Sequence, residues 1–144
     1  MLVHYLLAAG AFGAVLFLTK SFLWAGLAFL INIFLDADHL VDYWVANGFD
    51  LNYKKFVDET VGGDEPGVYF RKSQKVIVPL HSWELVLLIL IAAWVLDLHQ
   101  LIIAAAFGFL PHLLWDQITY AKEPLMYFFV FRALHKFSLK KFCS

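Results

Sequence analysis

The chain has 144 residues, of which 62% are hydrophobic and 16% charged, and its formal net charge is −1. Soluble proteins are roughly 45–50% apolar, so a disordered chain or a linker is excluded. A soluble domain of this size would lack the polar residues to cover itself, and only a helical protein buried in an oligomer remains as a soluble alternative. The balanced charge gives no reason to expect a nucleic-acid partner. The single cysteine, Cys143, excludes an intrachain disulfide and a cysteine-based metal site.

Four apolar runs, at residues 5–18, 22–35, 85–96 and 101–115, predict an all-α integral membrane protein. Short turns follow the first and third runs, which predicts two antiparallel hairpins. The first run lacks a basic leader and a cleavage motif, so we expect it to remain as a membrane helix. Extended to their polar ends, the runs give four short transmembrane helices of about 16–19 residues, near the lower limit for spanning. Their predicted bounds are 2–19, 21–39, 81–96 and 99–116.

Two further segments complete the predicted single membrane domain of residues 1–144. Residues 42–79 form a polar insertion with glycine and proline turns. Residues 124–142 are aromatic and basic, which predicts a C-terminal helix lying in the membrane interface. Of the eleven lysines and arginines, only Lys20 lies in a hairpin turn. The positive-inside rule therefore places both termini and the insertion on the cytoplasmic side of an inner membrane.

Histidines and carboxylates concentrate at the helix ends that the two hairpins bring to one side of the membrane. Asp36 with His39, and His112 with Asp116, have the i,i+3 and i,i+4 spacings that share one helix face. Imidazole and carboxylate without thiolate are typical of a hydrolytic zinc site and are compatible with manganese or iron. A cation also offsets the cost of burying carboxylates at a membrane boundary. We predict one or two divalent ions, held by Asp36, His39, His81, His112 and Asp116.

Two carboxylates near these residues are candidate catalytic groups. Asp38 and Glu84 are predicted to accept the proton of an attacking water. Glu84 has an alternative role as a first-turn carboxylate that favours the helix dipole. Whether His4, Asp38 and Asp42 join the metal site stays open. Asn32, one turn deeper, is expected to make an interhelical hydrogen bond.

Basic residues in the insertion and in the C-terminal helix are predicted to bind substrate. The forked guanidinium groups of Arg71 and Arg132 suit a phosphate group, and His135 and Lys136 lie near Arg132 in the sequence. The alternative is general attraction of these cations to anionic lipids.

Three motifs, taken in order, resemble the predicted membrane-bound metal-dependent hydrolases, a family that includes the LexA-regulated type. The last motif is also distantly similar to an element of zinc-dependent phospholipase C proteins. The resemblance covers roughly residues 1–120 and implies a metal site at the membrane surface and a hydrolase role. The family has a threonine where Leu80 stands and an earlier histidine that this chain lacks, so the number of metals stays open. The motifs are Asp36-x-Asp38-His39, His81-Ser82 and Gly108-x-x-x-His112-x-x-x-Asp116.

The predicted function is a metal-dependent hydrolase that acts on a membrane lipid at the cytoplasmic interface. A phosphoester is the preferred substrate, with an ester or amide left open. One alternative is a divalent cation transporter, which would need polar residues across the membrane, whereas only Asn32 lies well inside. Another alternative is a non-enzymatic scaffold with a structural metal. The short helices leave room for a homodimer.

Overall fold

The computed structural model describes residues 2–62, 68–120 and 123–143. In these ranges the secondary structure is helical, apart from one isolated antiparallel bridge between Lys75 and Ser138. Short 3₁₀ turns cover Leu35–Asp38 and Pro124–Tyr127, and a π-helical turn covers Asp58–Gly62. The α-helices are α1 (Leu2–Thr19), α2 (Phe22–Phe34), α3 (His39–Asn47), α4 (Tyr53–Val57), α5 (Val68–Ser73), α6 (Trp83–Val95), α7 (His99–Tyr120), α8 (Phe129–Leu134) and α9 (Leu139–Cys143).

Three helices are long and apolar enough to cross a membrane: α1, α7 and the continuous helix Phe22–Asn47. The last of these joins α2, a 3₁₀ turn and α3, and so extends past residue 39 into the predicted insertion. The chain continues because Phe34, Asp38 and His39 all keep helical backbone angles, and α3 ends only where Gly48 adopts a φ of 77°. The fourth apolar helix, α6, has 13 residues and is shorter than a usual span.

Helix α7 lies at the centre of the bundle and packs against α1, α2 and α6. The turns at Lys20 and Asp97 both have positive φ values, of 53° and 59°, and reverse the chain between antiparallel neighbours. We call the end of the bundle with these turns the far side and the opposite end the near side. The interior between the two ends is filled by small side chains, which allow helix backbones to approach closely. They are Ala11, Val15, Ala25, Ala28 and Ala104.

The crossing of α2 and α7 is tightest at Gly108. A Cβ atom at that position would lie 2.8 Å from Cβ of Ile31 and 3.0 Å from the carbonyl oxygen of Ala28. Asn32 Nδ2 donates a hydrogen bond of 3.0 Å to the carbonyl oxygen of Gly108, which confirms the expected interhelical bond. This contact lies one helical turn before Asp36 on α2 and one turn before His112 on α7, so it sets how closely those side chains meet.

The C-terminal segment is not the continuous helix that the sequence predicts over residues 124–142. Phe128 is extended and separates a 3₁₀ turn from α8, and Lys136 and Phe137 have positive φ values of 54° and 57° between α8 and α9. At this bend Ser138 pairs with Lys75 of the insertion. The broken segment packs Phe131 and Leu139 against the loop before α6. Together with α3, α4, α5 and that loop, it forms a layer on the near side, which we call the cap.

Candidate metal centre

Four side chains from three separate parts of the chain converge on the near side. They are Asp36, His81, His112 and Asp116, which we call the four-residue cluster. One donor atom of each lies within 4.8 Å of the others. Nε2 of His112 is 3.3 Å from Oδ1 of Asp36 and 3.3 Å from Oδ2 of Asp116. Nε2 of His81 is 3.6 Å and 3.2 Å from the same two oxygens. This group of Asp and His residues can hold a metal ion.

The Nε2 atoms of the two histidines in the cluster are suited to bind a metal ion. Nε2 of His81 and Nε2 of His112 are buried, and within the described residues neither has a hydrogen-bond partner. Buried polar atoms without partners are rare and costly, which points to a missing ligand or ion. A tetrahedral ion with bonds of about 2.0–2.2 Å holds its ligand atoms about 3.3–3.6 Å apart. The nitrogen–oxygen distances in the cluster, 3.2–3.6 Å, match that spacing.

His4, at the start of α1, fixes the two carboxylates in this arrangement. Its Nδ1 lies 3.0 Å from Oδ2 of Asp36, and its Nε2 lies 3.0 Å from Oδ1 of Asp116. Each carboxylate therefore uses one oxygen for His4 and turns its other oxygen to the two histidines of the cluster. His4 was left open by the sequence, and the structure makes it the link between Asp36 and Asp116.

Asp38 holds His81 in position. Its Oδ1 lies 3.0 Å from Nδ1 of His81, and its Oδ2 accepts hydrogen bonds from the backbone N–H groups of Leu80, at 2.7 Å, and His81, at 3.2 Å. A carboxylate that binds Nδ1 fixes the imidazole tautomer and orients Nε2 toward the ion. Asp38, His39 and His81 also form a second candidate metal group. These contacts make Asp38 a positioning residue for His81, and its predicted role as proton acceptor stays a prediction.

The carboxylates around His81 also change its acidity. Burial alone would lower the pKa of His81, but the neighbouring carboxylates Asp116, Asp36 and Asp38 hold this pKa well above the ordinary value.

His39, a predicted ligand, lies beside the four-residue cluster. Its Nε2 is 3.8 Å from Oδ1 of Asp36, and its Nδ1 is 2.8 Å from the hydroxyl oxygen of Tyr69 on α5. Tyr69 is a buried member of the site that the sequence analysis missed, since its place depends on the packing of α5 against α3. Burial raises the pKa of Tyr69, so its hydroxyl stays protonated.

Two other acidic residues hold backbone outside the cluster. Oε2 and Oε1 of Glu84 accept hydrogen bonds from the N–H groups of Phe129, at 2.9 Å, and Val130, at 3.0 Å, and so cap the start of α8. This contact corrects the prediction that Glu84 is a catalytic group. Asp42 likewise accepts from the N–H groups of Ile77 and Val78 in the loop before α6.

Arg132 is buried rather than placed at the surface as a phosphate clamp. Its Nη2 donates hydrogen bonds to the carbonyl oxygens of Val78, at 3.1 Å, and His81, at 3.0 Å. Burial lowers the pKa of Arg132. Arg132 thus holds the backbone that carries His81, and its predicted role in binding substrate stays a prediction.

The remaining predicted substrate-binding residues lie in the cap. Arg71 is exposed on α5, and Lys136 is exposed just after α8. His135 places its Nδ1 2.8 Å from the carbonyl oxygen of Phe131. Their role in binding substrate stays a prediction.

Comparisons with protein-family models, curated proteins and solved structures find no match for the chain. The likeness of its three motifs to membrane-bound metal-dependent hydrolases therefore stays a prediction.

Proposed function

We propose that the protein is an integral membrane hydrolase that binds one divalent ion in the four-residue cluster, with zinc the best fit. The observation that carries this proposal is the pair of buried Nε2 atoms of His81 and His112, which face the two carboxylates among the described residues without forming a hydrogen bond of regular geometry. Two nitrogens and two oxygens, with nitrogen–oxygen distances of 3.2–3.6 Å, suit zinc. The two carboxylates also balance the charge of a divalent ion, which removes the main cost of burying them.

Exposure on one side favours an enzyme over a scaffold with a structural metal. Structural zinc sites are closed, whereas catalytic sites keep an open position. In this site 37% of the Asp36 side chain and 21% of the His39 side chain are exposed. A water molecule or a substrate can therefore approach along the edge formed by these two residues and bind the ion as a fifth ligand, an expansion that catalytic zinc sites allow.

His39 is the residue best placed to accept a proton. When its Nδ1–H donates to the Tyr69 oxygen, the lone pair of Nε2 faces Asp36 at the open edge. A bound divalent ion would lower the pKa of a water molecule toward neutrality. Tyr69 fixes the ring of His39, and Asp38 fixes the ring of His81, so both imidazoles are oriented before substrate arrives.

We propose that the four apolar helices insert into the bilayer as two hairpins, with both termini and the site on the cytoplasmic side. Of the ten Lys and Arg residues that the structure describes, all but Lys20 lie on the near side, which the positive-inside rule assigns to the cytoplasm. The same cations attract anionic lipids, which favours a lipid phosphoester as substrate.

The packing of the bundle argues against the transporter alternative. A cation path would have to continue from the cluster to the far side, yet small apolar side chains such as Ala11, Ala28 and Ala104 fill that interior. Vesicles that contain the protein should therefore take up no more zinc than empty vesicles.

Metal analysis of the purified protein tests the proposal. Protein prepared in detergent without chelator should contain about one zinc per chain, and His112→Ala should lose it. His99→Ala is the matched control, because His99 is an exposed histidine on the far side. Wild-type protein without metal, or His112→Ala with full metal, would overturn the proposal. Loss of metal in His112→Ala should also abolish release of phosphate from phosphatidic acid in mixed-lipid vesicles.

A further inference from the structure

The lengths of three helices give the distance of the cluster from the far-side turns. The rise of an α-helix is 1.5 Å per residue, so Asp36 lies about 21 Å from Phe22 at the far end of α2. By the same rule His112 lies about 20 Å from His99, and His4 lies about 22 Å from Thr19. Three helices thus agree that the cluster stands about 20–22 Å from the far-side turns.

The hydrocarbon core of a bilayer is about 30 Å thick. Lys20 is exposed at one far-side turn, and the Asp97 side chain is 88% exposed at the other, so both belong at or beyond the far boundary of the hydrocarbon. The cluster then lies about 8–10 Å inside the near boundary of the hydrocarbon core. Any tilt of the helices would place it deeper in the membrane.

Exposed apolar side chains continue past the level of the cluster. On α7, Ile118 is 81% exposed and lies beyond Asp116, and on α1, Leu2 is 74% exposed and lies beyond His4. The cap adds three more exposed apolar residues, Leu125, Val130 and Leu134. Surfaces of this kind contact lipid, so the cap occupies the headgroup region and the cluster lies below it.

The exposed part of the site lies where α1 begins and α2 ends. His4, Asp36 and His39 are partly exposed there, whereas His81, His112 and Asp116 are buried. The same two helix ends carry exposed apolar residues, namely Leu2, Tyr5 and Phe34. A molecule approaching from the lipid therefore meets an apolar border around a polar opening.

From these observations we infer that the cluster is immersed in the hydrocarbon region of the near leaflet, and that its substrate is a lipid that enters sideways from the bilayer. This inference rests on the proposed function and narrows its substrate class. The bond that is cleaved must lie level with the cluster, beside the acyl chains, as a linkage to glycerol does. A bond at the outer end of a large headgroup would lie too far from the membrane centre.

Spin labels on single cysteines test the depth. In a Cys143→Ser background, Phe34→Cys places a label two residues before Asp36, and Asp97→Cys provides a water-exposed control. Leu30→Cys, 49% exposed on the same helix, provides a control deep in the membrane. In reconstituted vesicles, power-saturation measurements compare collisions with oxygen, which concentrates in lipid, and with a water-soluble nickel chelate.

The label at Phe34 should resemble the label at Leu30, with oxygen collisions exceeding nickel collisions several-fold. If it resembles the label at Asp97, the depth inference is wrong. Zinc content measured on unlabelled wild-type protein separates the two proposals. Absence of zinc contradicts the proposed function, whereas bound zinc together with a water-exposed label at Phe34 contradicts only the depth.

Discussion

Gly108→Ala should weaken metal binding although Gly108 is not a ligand. The added methyl carbon would lie 2.8 Å from two carbons of Ile31 and 3.0 Å from the carbonyl oxygen of Ala28, whereas ordinary contact begins at 3.4 Å. Cβ of Ile31 and the oxygen of Ala28 are fixed to the backbone, so α2 and α7 must separate by about 0.6 Å. Overpacking of this kind costs about 1–3 kcal/mol.

Separation of α2 from α7 increases the distance between two metal ligands, because Asp36 follows α2 and His112 lies on α7. Metal sites tolerate ligand shifts of only about 0.2 Å, so the zinc affinity should fall about tenfold or more. Competition with a chelating dye measures this affinity, and thermal unfolding in detergent measures stability.

Gly26→Ala is the matched control, since no described atom lies within 4 Å of its added Cβ. This control should keep the zinc affinity and gain up to about 1 kcal/mol of stability from helix propensity. If Gly108→Ala binds zinc as tightly as Gly26→Ala, the close crossing of α2 and α7 does not determine the geometry of the site.

Three further variants or conditions probe the groups around the cluster. Asp38→Asn should lower the zinc affinity about 10–100-fold in dye competition while the exposed control Asp97→Asn does not, and equal affinities would exclude a positioning role for Asp38. The neighbouring carboxylates raise the pKa of His81, so zinc must displace a proton and the apparent affinity should fall as the pH decreases, as titration calorimetry in several buffers would show. An affinity independent of pH would argue against His81 as a ligand. Arg132→Met should reduce the free energy of unfolding by about 2 kcal/mol and weaken zinc binding, whereas Lys136→Met at an exposed site should change neither. A change confined to KM for an anionic lipid would restore the phosphate-clamp hypothesis.

The convergence of polar groups could be predicted from the sequence because it depends on local spacing and on short turns. The i,i+4 spacing of His112 and Asp116 fixes their common face, and short turns leave the hairpins little freedom of direction. The structure brings both residues together with Asp36 and His81, as expected.

The roles of individual acids could not be predicted, because they depend on residues distant in sequence. Glu84 looks like an acid at the start of a helix whether it serves catalysis or a cap, and only the position of Phe129, 45 residues later, decides between them. Asp38 likewise differs from a free carboxylate only through the loop that brings the Leu80 N–H to it.

The structure of the C-terminal segment was also beyond prediction. Its aromatic and basic residues suit an interfacial helix by composition, and nothing in the local pattern marks the positive φ values at Lys136 and Phe137. The bend coincides with the pairing of Ser138 with Lys75, a contact between two segments that lie far apart in the chain.

The hydrogen bond from Arg132 to the carbonyl oxygen of His81 also has a consequence for the order of events during biosynthesis. The residues of α1, α2, α6 and α7 are all translated before residue 132. Until the C-terminal segment has packed against the loop before α6, the carbonyl oxygen of His81 lacks its hydrogen bond from Arg132. Under the proposed function, the ion would therefore find its complete binding site only after the C-terminal segment has packed against the rest of the protein.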